Sequence, residues 1–315
     1  MTFKKKAAVL SALVAVLALV YVLSFVFDPH RQNDRAFAWL EPELLNLADR
    51  IEIHGYGNDG ETVVLSRKNN IWVIASGMTD FPVKQGRVED LLAALTRKGV
   101  YPRRAASFQA RERLGLEEQT ASRIVIRGGA GLPLLDLLIG TAEALGQGVY
   151  LRRADKSEIY SGEDNFTLYT ENGLVFWYDL RLFSHIETAS VQQAEIVMPP
   201  DEEGGINAFI FRRSGNGWII PGTEGLDLDA IRVEGWLRSV LEAEGEDFAA
   251  AVPVSIDGSV TLRLGDGGSR VLQIGPEDGE KRRSAVVSQS ALVYVLPEWT
   301  INRLFRDSSS FLKTH

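Results

Sequence analysis

Two passages of the chain share one pattern of apolar and polar positions. In each passage apolar residues recur at positions i, i+3, i+4 and i+7, which places them on one face of an amphipathic helix. The first set is Val88, Leu91, Leu92 and Leu95, and the second is Val233, Trp236, Leu237 and Val240. The two sets lie a constant 145 residues apart, so the pattern predicts a duplicated unit.

The segments around these helices predict strands in the same order in both copies. Short apolar or alternating runs precede each helix, and Trp72 and Trp218 mark the corresponding strand. After each helix, two more strand-like runs are joined by a glycine-rich turn and end in Ile-Gly, at residues 139–140 and 274–275. Each unit is therefore predicted to run β-β-β-α and then β-β-β-β-α, closing on a short helix.

The N-terminal region carries a long apolar stretch. Residues 7–27, AAVLSALVAVLALVYVLSFVF, contain no charged residue, glycine or proline. As a helix they would be about 31 Å long, against about 30 Å of membrane hydrocarbon. Three lysines precede the stretch, which favours a cytoplasmic N-terminus. The pattern predicts an uncleaved anchor in the inner membrane, with the bulk of the chain extracytoplasmic, whereas a cleavable signal peptide is the alternative.

These patterns together predict an α+β fold. Hairpins joined by short turns form an antiparallel sheet, and one amphipathic helix covers only one face of it. We therefore expect an N-terminal transmembrane helix followed by two tandem, similar modules of mainly antiparallel sheet with one amphipathic helix each. The predicted segments are a cytoplasmic tail (1–6), the transmembrane helix (7–27), a juxtamembrane connector (28–50), the first repeat (51–184), a linker (185–193) and the second repeat (194–315).

Composition excludes several classes of function. The chain has 315 residues and no cysteine, which excludes disulfides, thiolate metal sites and a cysteine nucleophile. Residues 28–315 contain 42 acidic and 31 basic residues. This acidic balance argues against nucleic acid or anionic headgroups as partners.

Neither the histidines nor the paired acids predict a catalytic, cofactor-binding or metal-binding site. The histidines His30, His54, His185 and His315 are far apart, and none has a second ligand at helical or hairpin spacing. Three acidic pairs fall on predicted helix surfaces or turns, where solvated carboxylates are usual. These pairs are Glu89-Asp90, Glu117-Glu118 and Glu202-Glu203.

The glycine-rich runs predict hairpin turns. Residues 128–131 (GGAG) and 265–268 (GDGG) lack the Lys-Ser/Thr pair and the following helix that a phosphate-binding loop requires. Both lie between predicted strands at equivalent points of the two copies. Turns between paired strands are therefore the expected structure.

The order of several segments resembles that of a bacterial protein family. In chain order these segments read VVLSRKNNIWVI, FPVKQGRVEDLLAALTR, ERLGLEEQTASRIVI, LLIG, GVYLRR and FWYDLRLFS. With the strand tryptophan Trp72, Pro82 before the helix and LGL at 114–116, the order resembles the family called domain of unknown function 4340, over most of residues 44–184 and again over 190–311. The second copy departs from the pattern, because EDFAAAVPVSI replaces the LGL element and no proline precedes its helix.

The resemblance implies a single-pass membrane protein with an exported region. It further implies an auxiliary subunit of ABC-type transport systems similar to the gliding-motility exporter group, whose partners are subunits of a membrane transport complex. The family supplies no catalytic residues and no cofactor to transfer to this chain.

Two hypotheses of function remain. The first is a non-enzymatic accessory protein whose sheet edges or grooves bind another subunit or an exported polymer. The second is an exported enzyme or ligand sensor with a site in the cleft between the repeats. The missing catalytic constellation favours the first hypothesis.

Overall fold

The folded chain divides into two compact units. A computed structural model describes residues 14, 16–19, 21, 36–55, 62–143, 148–162, 166–200, 205, 207–215, 217–223 and 227–313. Unit 1 is Met1–Trp177, and unit 2 is Tyr178–His315. The predicted boundary at residues 184 and 185 therefore falls later than the observed one. The predicted linker, 185–193, contains a 3-10 turn, Thr188–Ser190, and the start of a strand.

Unit 1 contains a nine-stranded antiparallel sheet and a separate two-stranded one. The nine strands are β2 (Ala48–His54), β3 (Thr62–Lys68), β4 (Ile71–Ser76), β5 (Thr79–Pro82), β7 (Arg103–Ala105), β8 (Ser122–Gly128), β9 (Pro133–Ala142), β10 (Val149–Arg153) and β11 (Ile159–Gly162). Their order across the sheet is β5-β4-β3-β2-β8-β9-β10-β11-β7. The pair is β1 (Ala36–Phe37) with β6 (Gly99–Val100). The helices are α1 (Gln85–Thr96), α2 (Phe108–Arg113), α3 (Thr167–Thr170) and α4 (Leu174–Trp177), and 3-10 turns lie at Pro42–Leu47 and Gly129–Gly131.

Unit 2 contains an eight-stranded antiparallel sheet. Its strands are β12 (Val191–Val197), β13 (Ala208–Ser214), β14 (Gly217–Ile219), β15 (Asp247–Phe248), β16 (Gly258–Leu264), β17 (Ser269–Glu277), β18 (Arg283–Val287) and β19 (Val293–Leu296). The order is β14-β13-β12-β16-β17-β18-β19-β15, which repeats that of the first sheet without a counterpart of β5. The helices are α5 (Ala230–Leu241) and α6 (Glu298–Leu304), and a 3-10 turn lies at Ser308–Phe311.

Helices α1 and α5 occupy the same place in the two strand orders. Each contacts its sheet and buries the apolar face that the spacing predicted, with Val88 and Leu95 of α1 and Val233 and Val240 of α5 fully buried. Burial of such side chains contributes about 1.5–3 kcal/mol each to folding. Residue Trp236 adds an anchor, because its Nε1 donates a hydrogen bond to the Leu304 carbonyl (3.0 Å).

Part of the opposite face of each sheet contacts the chain that leaves the helix. In unit 1, Ala110 of α2 and Leu116 pack on Leu138, which alternates in direction with its neighbours along β9. Gly140 makes this approach possible, since a Cβ there would collide with the Leu114 carbonyl oxygen. In unit 2, a Cβ on Gly275 would lie 2.5 Å from the Cβ of Pro253. In both units, therefore, the segment that follows the main helix packs against the glycine of the Ile-Gly pair.

The predicted fold class is wrong. The structure is mostly β, with three antiparallel sheets, rather than an α+β fold with one amphipathic helix in each module. The sequence pattern missed β6, β7 and β15 because strands of two or three residues show no alternation. The helices other than α1 and α5 have four to seven residues, too few to reveal a helical period.

The predicted transmembrane helix, residues 7–27, lies mostly outside the described residues. Only residues 14, 16–19 and 21 of it are described, and they are helical. Within the described part of the chain, no helix combines the length and the apolar character needed to cross a membrane.

The region predicted as a juxtamembrane connector, 28–50, enters the folded body of unit 1 from residue 36. It supplies β1, the turn Pro42–Leu47 and the start of β2. Trp39 is 1% exposed and packs its ring edge-on against Phe37 at 5.1 Å and Tyr101 at 5.0 Å. These aromatic contacts make the segment part of the core of unit 1.

Candidate functional site

The titratable residues singled out by the sequence do not converge among the described residues. His54 is half-buried and bonds Thr62 through Nδ1 at 2.9 Å, while His185 lies exposed in a turn. His30, His315 and the Glu202-Glu203 pair lie outside the described residues. The pair Glu89-Asp90 is exposed on α1. No group of three histidine or acidic side chains in the described part of the chain is arranged to hold a metal ion.

The two glycine-rich runs form hairpin turns, as predicted. Residues 128–131 connect β8 to β9, and 265–268 connect β16 to β17. Gly131 and Gly267 have φ of 78° and 85°, a conformation that side chains with a Cβ rarely adopt. The positive φ explains why glycine occupies both positions.

A stronger contrast lies in the segments that connect the main helix of each unit to the next long strand. We call residues 97–121 the basic crossover and residues 242–257 the acidic crossover. The basic crossover contains six basic and three acidic residues, whereas the acidic crossover contains five acidic residues and no basic one. The same connection therefore carries opposite charge in the two units.

The basic crossover forms the outer edge of the sheet in unit 1. Its strand β7 ends the sheet beside β11 and is followed directly by α2. Arg104 of β7 donates from Nε to the Ser161 hydroxyl at 2.8 Å and pairs with Glu143 at 3.2 Å. These groups line an open cavity of about 490 Å³, and Arg97 and Tyr101 lie on its other walls. The side chains of Lys98, Arg103 and Arg113 are exposed. This edge therefore presents a positively charged surface.

The acidic crossover forms the corresponding edge in unit 2. Its strand β15 ends the sheet beside β19, and Glu246 and Asp247 line an open cavity of about 510 Å³. Two arginines supply local counter-charge. Arg282 lies 3.1 Å from Asp278, 2.9 Å from Glu280 and 3.7 Å from Glu246, and Arg283 lies 3.2 Å from Asp257. Backbone N–H groups of Arg282 and Glu280 donate to Asp278 and hold its pKa below the ordinary value. The two cavities thus lie at the same end of the repeated strand order.

Both crossovers also expose large apolar side chains. In the basic crossover, Val100 is 59% exposed and Phe108 is 72% exposed. In the acidic crossover, Val252 is 67%, Val254 94% and Ile256 48% exposed, along a segment without helix or strand. Apolar side chains grouped in this way and bordered by charge are typical of protein interaction surfaces.

The family of the chain is decided by a sequence comparison. The profile of a family described as domain of unknown function (DUF4340) matches residues 72–259, which is more than half of the chain. The chain belongs to the DUF4340 family. The match runs from β4 to the first residues of β16, so it includes both crossovers. No curated protein and no solved structure matches this chain.

The basic crossover of this DUF4340 protein is fixed by a buried arginine. The Arg152 side chain is 2% exposed, and its guanidinium donates to the carbonyls of Ala154 (3.1 Å), Lys156 (3.0 Å) and Leu116 (3.2 Å). Burial, followed by the charge of Arg111, lowers its pKa. Because Leu116 belongs to the LGL turn, we assign Arg152 a structural role that positions the crossover.

A second charged group lies on the strands β2, β8 and β9 of unit 1. Arg123 forms a two-point ion pair with Asp136, and Arg127 lies 3.3 Å from Glu52. Burial tends to raise the pKa of Glu52, but hydrogen bonds from Arg50 and Arg127 outweigh it, and the pKa is lowered. These are cross-strand pairs of the kind that stabilise a sheet surface.

Reasoning from motifs misses the crossovers as a candidate site. The doublet Arg103-Arg104 taken alone indicates a solvated strand end, and the acids of residues 242–247 form no motif. The signal is present in the aligned repeats, since equivalent segments differ in charge sign. A charge count made repeat by repeat finds it.

Proposed function

We propose that this DUF4340 protein is a non-enzymatic, extracytoplasmic accessory protein that binds protein subunits of an ABC-type transport complex at the inner membrane. The observation that carries the proposal is the pair of crossovers, each of which has exposed apolar side chains and a net charge, positive in unit 1 and negative in unit 2. The acidic composition of the chain supports protein partners over nucleic acid.

The position of the crossovers supports a binding role. Each lies beside the last strand of a sheet, where backbone groups of an edge strand and side chains of a cavity are close together. Partner proteins recognise such edges through main-chain hydrogen bonds and through pockets for alternate side chains. Two such edges allow one chain to contact two proteins.

Site-specific photo-cross-linking in the producing cells tests the proposal. A photoreactive residue replaces Phe108 or Val254, and the matched control replaces Met78, which is 105% exposed in a hairpin turn outside both crossovers. We expect a permease or another identified subunit of a transport system to cross-link at 108 or 254 above the level at 78. Equal recovery at all three positions would overturn the proposal.

Protease treatment of intact spheroplasts tests the location. We expect the folded units to be digested without lysis of the cells, whereas a cytoplasmic control protein stays intact. Protection of both units until lysis would contradict an extracytoplasmic location.

A further inference from the structure

The two crossovers complement each other. One carries exposed Lys98, Arg103 and Arg113 together with exposed Val100 and Phe108, and the other carries five acids together with three exposed aliphatic side chains. Protein interfaces commonly combine an apolar centre with a charged rim, and opposite rims suppress wrong partners while they accelerate encounter. Each crossover therefore has a complementary surface in this same chain, namely the other crossover.

The complementarity survives when the neighbouring charges are included. Glu143 offsets Arg104 in unit 1, and Arg282 offsets acids in unit 2. Arg282, however, is shared among Asp278, Glu280 and Glu246. The neighbouring Arg283 is shared between Asp257 and Glu277, so the carboxylates remain in excess. On the other side, only Glu143 lies among the arginines that line the cavity of the basic crossover.

We propose that the basic crossover of one copy of this chain docks against the acidic crossover of a second copy. The inference rests on the proposed function, because both treat the crossovers as protein-binding surfaces, and it names a partner for them. The contact joins two different surfaces, so it is head-to-tail. After each addition one crossover of each sign remains at the ends, and assembly continues unless a ring closes.

Two of the side chains available for contact, Val254 and Glu242, are not needed for the fold. Val254 is 94% exposed, so its side chain contributes almost nothing to the stability of unit 2. Glu242 is exposed just after α5. Substitutions at these positions are expected to change association while the melting temperature stays the same.

Sedimentation velocity of the purified full-length chain over a concentration series tests the inference. Variant A carries Lys98→Glu, Arg103→Glu and Arg113→Glu, and variant B carries Glu242→Lys and Glu246→Lys. We expect the wild-type chain to form larger species with concentration. Each variant alone should associate at least about tenfold more weakly.

Sedimentation of an equimolar mixture of the two variants is the decisive experiment. Variant A keeps its acidic crossover and variant B keeps its basic one, so the mixture should form a complex that neither forms alone. The control variants Lys68→Glu and Glu171→Lys reverse exposed charges elsewhere and should associate like wild type. Val254→Ser should weaken association without lowering the melting temperature.

Salt dependence provides an independent arm. Raising the ionic strength from about 0.05 to about 0.5 M screens exposed charges and should reduce association. A wild-type chain that sediments as one monomeric species throughout overturns the inference, as does a mixture of well-folded variants that fails to associate. Cross-links to transport subunits without self-association would reject this inference alone, and self-association without such cross-links would reject the proposed function alone.

Discussion

Units 1 and 2 share a strand order but differ in the segment after the main helix. In unit 1 that connection folds into β7 and α2 and is tied down by Arg152, which fixes the carbonyl of Leu116. In unit 2 it forms no helix or strand after β15, and Val286 occupies the position that corresponds to Arg152 in the strand pairing. The comparison teaches that the same sheet can pack against two crossovers of different structure. The crossovers are therefore one of the places where the two units diverge.

The largest expected effect comes from removing the arginine that unit 2 lacks. Arg152→Leu leaves the carbonyls of Leu116, Ala154 and Lys156 without their donor, and it should destabilise unit 1 by about 3–5 kcal/mol. Hydrogen exchange measured by mass spectrometry should show lost protection in β10 and the crossover. Val286→Leu is the matched change in unit 2. Equal, small losses in both units would contradict the assigned role.

The next largest effect is expected at the two glycines against which the crossovers pack. Gly140→Ala places a Cβ against the backbone carbonyl of Leu114, whereas Gly275→Ala meets the side chain of Pro253 on an extended segment that can shift. We expect about 1–3 kcal/mol of destabilisation at Gly140 and less at Gly275. Chemical denaturation of each variant measures the difference. The reverse order would show that the segment of unit 2 is the more rigid one.

A smaller effect separates the starts of the two main helices. The Asp229 carboxylate caps α5 by accepting from the N–H groups of Ile231 (2.9 Å) and Arg232 (3.3 Å), whereas the side chain of Lys84 forms no such cap for α1. Asp229→Ala should cost about 0.5–2 kcal/mol, and Lys84→Ala should cost less. Thermal unfolding monitored by circular dichroism compares the two. A larger loss at Lys84 would refute this difference between the helices.

The smallest effect is a pH dependence confined to unit 1. Burial and then the charge of Arg123 lower the pKa of His54 below its ordinary value of 6.5. Stability from the neutral ring is therefore present above pH 6.5 and is lost as the pH falls through the lowered value. His54→Gln should flatten the dependence of melting temperature on pH between about 5 and 7. An unchanged slope would show that other groups control it.

The sequence predicted those parts of the fold that have enough residues to show a period. Helices α1 and α5 have 12 residues each. Both were predicted from the apolar periodicity that starts at Val88 and Val233, and both form. The hairpin turns at 128–131 and 265–268 were also predicted, because turn chemistry is local. The pattern could not show β7 or β15, since a strand of two or three residues is defined by its partner rather than by its own sequence.

The candidate site was harder to predict than the fold. A crossover surface depends on which charges come together after the chain has folded, and residues such as Arg104 and Glu143 are distant in sequence but 3.2 Å apart. The fold class failed for a related reason. The prediction of one helix per module did not include Ala110 and Leu116, which are buried against the second face of the sheet.

The glycines at 140 and 275 have a practical consequence for engineering. Because neither residue has a Cβ, the chain of the crossover packs closely on each of them. In unit 2, residues 249–257 follow β15 and form no helix or strand, so they can be exchanged for loops of other composition while β15 keeps its pairing with β19. A library built there would turn this protein into a display scaffold.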